Sequence, residues 1–241
     1  MKAMILAAGR GTRLRPLTDT CPKPMVPIGE RPLLEHVIRL LAKHGFDELV
    51  INLYHLPHII QDHFKDGNDW GVHINYSLEE ELLGTAGAVA KVAGFFDEPF
   101  LVYYGDHLSN VDLSTLWQAH RREGGIASLG LLDTDEDPTT RGVCELDEQS
   151  RIVRFIEKPA VGQVPSRYMV NAGIYLLEPQ VLSYLPTNEV SDFGFDIFPK
   201  LLNAGHTLYG HRLTGSLLAT DTAERYAHAQ QETASGRFKL P

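Results

Sequence analysis

An α/β protein with a mainly parallel sheet, mixed in its second half, and helices on both faces is the fold class this sequence predicts, on three observations. A short apolar run, residues 4–8, breaks into the glycine-bearing loop Gly9-Arg10-Gly11, as a strand buried on both faces does where it ends at a ligand. Strand-like and helix-like segments then alternate as far as Arg122, the order that builds parallel pairs through right-handed crossovers. After Gly124-Gly125 the helices give way to strand-like runs joined by turns, so the sheet becomes mixed there.

Each element follows from its pattern. Leu33 to Lys43 carries apolar residues at 33, 34, 37, 38, 40 and 41, a helical stripe stopped by His44-Gly45. Residues 49–51 read as the second strand and 59–64 as part of the second helix. Residues 72–76 alternate as a strand, 86–92 form a short helix, and Phe100 to Tyr104 is a buried strand. Residues 113–122, apolar at 113, 116 and 119, are helical. Residues 126–132, 143–146, 152–156 and 169–177 are strands, with a hairpin turn at residues 147–150. Helical segments at 197–203 and 222–232 complete the chain. No repeat or linker interrupts it, so 241 residues are expected to form a single domain. The change of texture at Gly124-Gly125 divides that domain into halves of about 1–125 and about 126–241.

Composition narrows the function classes. A net charge of −9 argues against a nucleic-acid polymer or an anionic membrane as partner. Two cysteines, Cys21 and Cys144, make no disulfide framework and point to a reducing compartment. No apolar run reaches spanning length and no signal peptide opens the chain. The expected location is cytoplasmic.

The chemistry concentrates in the first twenty-seven residues. Two glycines free a loop to approach a ligand through its backbone, and Arg13 and Lys23 add fixed positive charge. That combination suits a polyphosphate at the carboxyl end of a first strand. A P-loop is absent, because no Gly-x-x-x-x-Gly-Lys-Ser/Thr run exists. A dinucleotide fingerprint is absent as well, because Leu14 stands where its third glycine or alanine belongs. Gly9 through Thr18 instead read Gly-x-Gly-Thr-Arg-Leu-x-Pro-Leu-Thr, followed by Pro22-Lys23-Pro24. This resembles the signature of the sugar-1-phosphate nucleotidylyltransferases, also called nucleotide-sugar pyrophosphorylases. Their fold is the Rossmann-like, nucleotide-diphospho-sugar transferase type of α/β sheet.

Further motifs extend the resemblance to about Tyr226. Leu83-Gly84-Thr85-Ala86-Gly87, preceded by Glu79, looks like the family's nucleobase loop; Glu79 either accepts from base N–H groups or sits in an acidic turn capping the next helix. Gly105-Asp106 resembles the Gly-Asp that holds magnesium. Gly142, Glu157-Lys158-Pro159 and Asn171 resemble the sugar-phosphate pocket. The resemblance therefore implies nucleotide binding by Leu6, Ala8, Gly9, Gly11, Thr12, Arg13, Lys23, Glu79, Gly84 and Thr85. Sugar-phosphate binding falls to Gly142, Glu157, Lys158 and Asn171, and catalysis to Arg13, Lys23, Asp106 and Lys158.

One place departs from the pattern. The family's second magnesium ligand is an aspartate in Asp-x-Gly-Thr-Pro-Glu-x-Tyr; aligning Thr222, Glu224 and Tyr226 puts Ala219 there and Asp221 at the glycine position. Two residues along a strand span ~6.6 Å, so Asp221 replaces the lost ligand only if the loop rearranges. The expected metal site is Mg2+ on Asp106, with Asp221 as a second candidate and waters and phosphates completing it.

The resemblance implies that an NTP and a sugar 1-phosphate are converted to an NDP-sugar and pyrophosphate. Glu79 favours GTP with a mannose- or heptose-type sugar, as in the guanylyl enzymes, whereas related enzymes use UTP or dTTP with glucose 1-phosphate. The chain shows no left-handed β-helix, so an added acyltransferase activity is not expected, and the resemblance leaves a homo-oligomer open. Two rivals are a catalytically silent nucleotide-sugar-binding subunit, motivated by Ala219, and a glycosyltransferase. The latter carries Asp-x-Asp after a central strand, where this chain has Gly105-Asp106-His107.

Overall fold

A computed structural model describes every residue except Asp135 and Asn188. In chain order the strands and helices are β1 (Lys2–Leu6), β2 (Pro27–Ile28), β3 (Arg31–Pro32), α1 (Leu33–Lys43), β4 (Glu48–Leu53), α2 (Pro57–Phe64), β5 (His73–Leu78) and α3 (Gly84–Lys91). There follow β6 (Phe100–Tyr104), β7 (His107–Ser109), α4 (Leu113–Glu123), β8 (Ala127–Leu132), β9 (Gly142–Leu146), β10 (Ile152–Glu157) and β11 (Met169–Leu177). The last are α5 (Phe198–Asn203), β12 (Leu208–Arg212), β13 (Leu217–Ala219) and α6 (Ala223–Ala234). The architecture is α/β, as the alternation of patterns predicts.

The residues form two compact units that interleave along the chain. The first comprises Met1–Leu82, Tyr103–Leu113 and Thr214–Pro241, the second Leu83–Val102 and Ser114–Leu213. A cut near residue 125 therefore does not describe them: the chain leaves the first unit before α3, re-enters it through β6, and returns again for its C-terminal helix.

In the first unit, β1 pairs with β4 and β4 with β5, both in parallel. Their apolar runs are the cause: Ala3, Met4, Ile5, Leu49, Val50 and Ile51 are all buried, as expected of strands covered on both faces. Helix α1 buries the six apolar positions of its predicted stripe, each worth about 2 kcal/mol when removed from water. It ends where Gly45, at φ 81, turns the chain and donates its N–H to the Ala42 carbonyl at 3.0 Å.

In the second unit the pairing is mostly antiparallel. β9 pairs with β10, and β11 pairs with both β8 and β9, while β12 adds to β8 in parallel. The predicted turn between β9 and β10 forms because the Asp147 carboxylate accepts from the Gln149 and Arg151 N–H groups, each at 2.9 Å. The helix expected over 197–203 begins as a π-helical turn, Phe193–Ile197, before it settles into α5. The Asp192 side chain caps that turn by accepting from the Gly194 N–H.

Candidate active site

The first unit builds a cationic loop in which Arg13 and Lys23 each already have an anion. After Leu6 ends β1, the Ala7 N–H donates to Asn52 Oδ1 at 2.7 Å, and Ala8 stays buried. Gly9 is exposed, with nothing within 4 Å of where a Cβ would stand, so its backbone is open to a ligand. Gly11 is glycine for a different reason. Its φ is 63, and a Cβ would stand 3.0 Å from the side chains of both Lys23 and Thr18, so it lets the loop fold down on the Pro22-Lys23-Pro24 segment. Thr12–Leu14 is a single 3-10 turn that carries Arg13 outward.

Lys23 is nearly buried and donates to Asp106 Oδ2 at 2.9 Å. The other Asp106 oxygen lies 3.3 Å from His107 Nε2 and, among the described residues, is a buried oxygen with no hydrogen-bond partner. Burial alone raises the Asp106 carboxyl, but the charges of His107 and Lys23 outweigh it and hold the group well below the usual carboxylate range.

β13 pairs antiparallel with β7, which sets Ala219 opposite His107, and the next residue, Thr220, donates its hydroxyl to the Asp106 carbonyl at 3.0 Å. The segment that departs from the family pattern therefore lies alongside Asp106. Asp221 is a two-arginine bridge: Oδ2 is 2.6 Å from Arg13 and Oδ1 is 3.0 Å from Arg225. Burial opposes its ionisation, yet the two arginines and Lys23 lower its pKa.

Glu79 lies deep at the end of β5. It is 4% exposed, and its Oε1 accepts from Asn52 Nδ2 at 2.7 Å. Asn52 thus ties the phosphate loop to Glu79 through its two amide atoms, a pivot that sequence reading missed because an asparagine in a strand carries no motif. The N-cap residue of α3, Leu83, makes no side-chain cap hydrogen bond.

The second unit holds the remaining residues. Gly84 has φ 74, and a Cβ there would collide with the Ser191 carbonyl; at Gly87 a Cβ would stand 2.6 Å from the Glu189 carbonyl. The same Ser191 carbonyl accepts from the Ala86 and Gly87 N–H groups at 2.9 and 3.2 Å, capping α3 through backbone. Gly84 and Gly87, in the first turn of α3, are thus explained by their own chain. Thr85 Oγ1 accepts from the Phe193 N–H at 2.9 Å, which fixes Ser191–Phe193 against that turn.

Glu157 ends β10 opposite Gly142 in the β9 ladder. A Cβ on Gly142 would stand 2.5 Å from Glu157 Oε2, and one on Gly194 would also collide with that oxygen. The carboxylate therefore occupies a niche that two glycines vacate. Burial, then the Asp192 carboxylate, push its pKa up to about 7 against the opposing charge of Lys158. Lys158 has the left-handed φ of 47 and donates its N–H to the Arg141 carbonyl at 3.1 Å. Asn171 donates to the Tyr175 hydroxyl at 2.7 Å and accepts from the Gly173 N–H at 3.0 Å. The structure thus gathers the residues of the glycine loop with Asp106, Glu79 and Asp221 in one unit. Gly84, Thr85, Gly142, Glu157, Lys158 and Asn171 belong to the other.

The chain matches the Nucleotidyl transferase family over residues 2–233 and belongs to it. Its curated relatives include a UTP–glucose-1-phosphate uridylyltransferase of Synechocystis, 42% identical over 87% of this chain and 57% of that protein. Another is a mannose-1-phosphate guanylyltransferase of Mycobacterium tuberculosis, 36% identical over 87% of this chain and 58% of that protein. The chain thus spans a little over half the length of these relatives. Among solved structures it is similar to a putative glucose-1-phosphate thymidylyltransferase from Bacillus anthracis, with a TM-score of 0.86 and 25% identity over 96% of this chain and 94% of that one.

Proposed function

We propose that the protein is a sugar-1-phosphate nucleotidylyltransferase, joining an NTP to a sugar 1-phosphate with release of pyrophosphate. The observation that carries this reading is the open backbone at Gly9 beside two cations, Arg13 and Lys23, each held by a carboxylate. Polyphosphate oxygens are the ligand that such a loop suits. The printed names of the relatives support the same reaction class.

The reaction needs no enzyme nucleophile, because a sugar phosphate dianion attacks the α-phosphorus in line while pyrophosphate leaves. The protein's contribution is positioning and charge neutralisation. Arg13 steadies the β- and γ-phosphates, Lys23 the α-phosphate, and Lys158 the incoming sugar phosphate. Glu157 and Asn171 accept and donate hydrogen bonds to sugar hydroxyls.

The family's divalent cation fits this chain in a restricted form. The Asp106 oxygen without a hydrogen-bond donor is a suitable hard ligand, while both Asp221 oxygens have arginine partners. Among the described residues no cluster of three His, Cys, Asp or Glu side chains could hold a metal. Asp106 would therefore hold magnesium as the main protein ligand, with waters and phosphates supplying the rest. When bound, the ion neutralises charge on the substrate phosphates. Asp221 serves as the clamp on Arg13.

GTP is the proposed nucleotide, because Glu79 is an acceptor-only group suited to the N1–H and amino group of guanine, and Asn52 fixes its orientation. The uridylyltransferase named among the relatives favours UTP as a second reading. Pyrophosphate release measured with each NTP against mannose, heptose and glucose 1-phosphates tests both. A preference for UTP or dTTP over GTP refutes the base assignment. Absence of release with every pair, alongside retained nucleotide-sugar binding, favours the silent subunit. Glu79→Gln should erode base preference more than maximal turnover. The free thiols Cys21 and Cys144 support the expected cytoplasmic setting.

A further inference from the structure

The turn at residues 192–197 presents three aromatic side chains with its neighbour Phe198, and they have two different fates. Phe193 and Phe198 are fully buried and pack on each other and on Tyr175. Phe195 is 56% exposed. Its described ring contact is with a cation: the Lys158 ammonium lies 5.7 Å from the ring centroid, within cation–π range. We propose that Phe195 is a positioning residue for Lys158, holding the ammonium ready for the phosphate of a sugar 1-phosphate.

Three features of the surroundings make the contact a directed one. The left-handed backbone at Lys158 is uncommon for a side chain other than glycine, asparagine or aspartate. Its N–H donation to Arg141 fixes that conformation, so the chain invests in where this side chain starts. Gly194, immediately before Phe195, leaves room for the Glu157 carboxylate, and the Asp192 cap shapes the turn that carries both residues. One short turn therefore shapes the immediate surroundings of Glu157 and of Lys158.

The physical gain is loss of freedom. A lysine stem is long and flexible, and ordering it costs rotamer freedom. An aromatic face restricts the ammonium without neutralising it, unlike a carboxylate, so its charge stays available to a phosphate dianion.

This inference rests on the proposed nucleotidylyltransferase reading, and two measurements separate their failures. In steady-state kinetics Phe195→Leu, which keeps the apolar bulk and removes the ring, should raise KM for sugar 1-phosphate about two- to fivefold. KM for the NTP and kcat should be unchanged, and Phe195→Tyr should restore the wild-type value. Equal KM for Phe195→Leu and wild type, or equal rises for both substrates, overturns the positioning role. The second readout needs no turnover. After reductive 13C-methylation of the lysines, Lys158, assigned by the loss of its resonance in Lys158→Arg, should resonate upfield from the ring current and return downfield in Phe195→Leu. A Lys158 resonance at the bulk lysine position in wild type overturns the inference whether or not the protein is an active enzyme. An inactive wild type with the upfield resonance sinks only the reaction.

Discussion

Three cations proposed for the site, two in the first unit and one in the second, are held in opposite ways. In the first, Lys23 and Arg13 are paired with Asp106 and Asp221 at 2.9 and 2.6 Å. In the second, Lys158 lies over an aromatic ring, while the adjacent carboxylate, Glu157, is half-buried and feels the charge of another carboxylate, Asp192. Each of these two pairs fixes its cation from within the chain. In the second unit the ammonium of Lys158 lies beside a carboxylate of raised pKa, Glu157, and we propose that the phosphate and hydroxyls of a sugar 1-phosphate complete the pair. Pairing protects the fold from the nearly buried positive charge of Lys23; among the described residues no salt bridge is formed by the exposed Lys158.

The largest effect should come from removing a paired cation. Lys23→Ala and Arg13→Ala are each expected to lower turnover by at least ~10², because each removes charge neutralisation of the leaving group or transition state. Arg13 is 67% exposed at its side chain, so its variant should melt within a few degrees of wild type. Pyrophosphate release and thermal unfolding check both points. Near-normal turnover in both variants would break the claim that the first unit is the phosphate site.

Next in size is the pair of changes at the segment that runs alongside Asp106. Asp221→Ala frees Arg13 and Arg225 from their shared anion, and about a fivefold to tenfold rise in KM for the NTP should follow with kcat largely kept, as for loss of a charge-assisted contact. If Asp221→Ala instead abolishes turnover, Asp221 is a magnesium ligand and the clamp role is wrong. Ala219→Asp restores the family residue opposite His107 and should tighten apparent magnesium affinity, read from the metal dependence of turnover, with turnover equal or higher.

What sequence could and could not show follows the same division. Membership of the family was legible because an apolar strand, two glycines and a run of fixed basic and proline positions leave few alternatives, and α1 because its stripe has helical period. The β7–β13 ladder was not, since three-residue strands carry no periodicity. Gly84 was visible as a glycine but not for its structural reason, which is the Ser191 backbone more than one hundred residues away along the chain. Asn52 and Phe195 likewise gain their meaning only from partners distant in sequence. The one place where local pattern broke, Ala219, was legible as a departure; that Asp221 is held by two arginines was not.

The smallest effect tests the Glu157 carboxylate directly. Glu157 has its pKa raised from 4.5 to about 7 by burial and by Asp192, with Lys158 opposing; the Cys144 thiol also lies near enough to feel its charge. A carboxyl whose pKa is higher in the folded state binds its proton more tightly there. The stability it supports is therefore fully present below about pH 4.5 and is lost as pH rises through about 7. Glu157→Gln removes that titration while keeping the volume of the niche left by Gly142 and Gly194. The variant should gain little at pH 5 and melt higher than wild type at pH 8, where the wild-type carboxylate is ionised and buried. Sugar 1-phosphate should reverse the order, because hydroxyl donors compensate the ionised carboxylate and the amide offers one acceptor where the carboxylate offers two. Melting curves at pH 5 and pH 8, with and without sugar 1-phosphate, measure this. Equal pH slopes for wild type and Glu157→Gln would show that Glu157 is ionised and satisfied without ligand, and the contrast between the two units would collapse on that side.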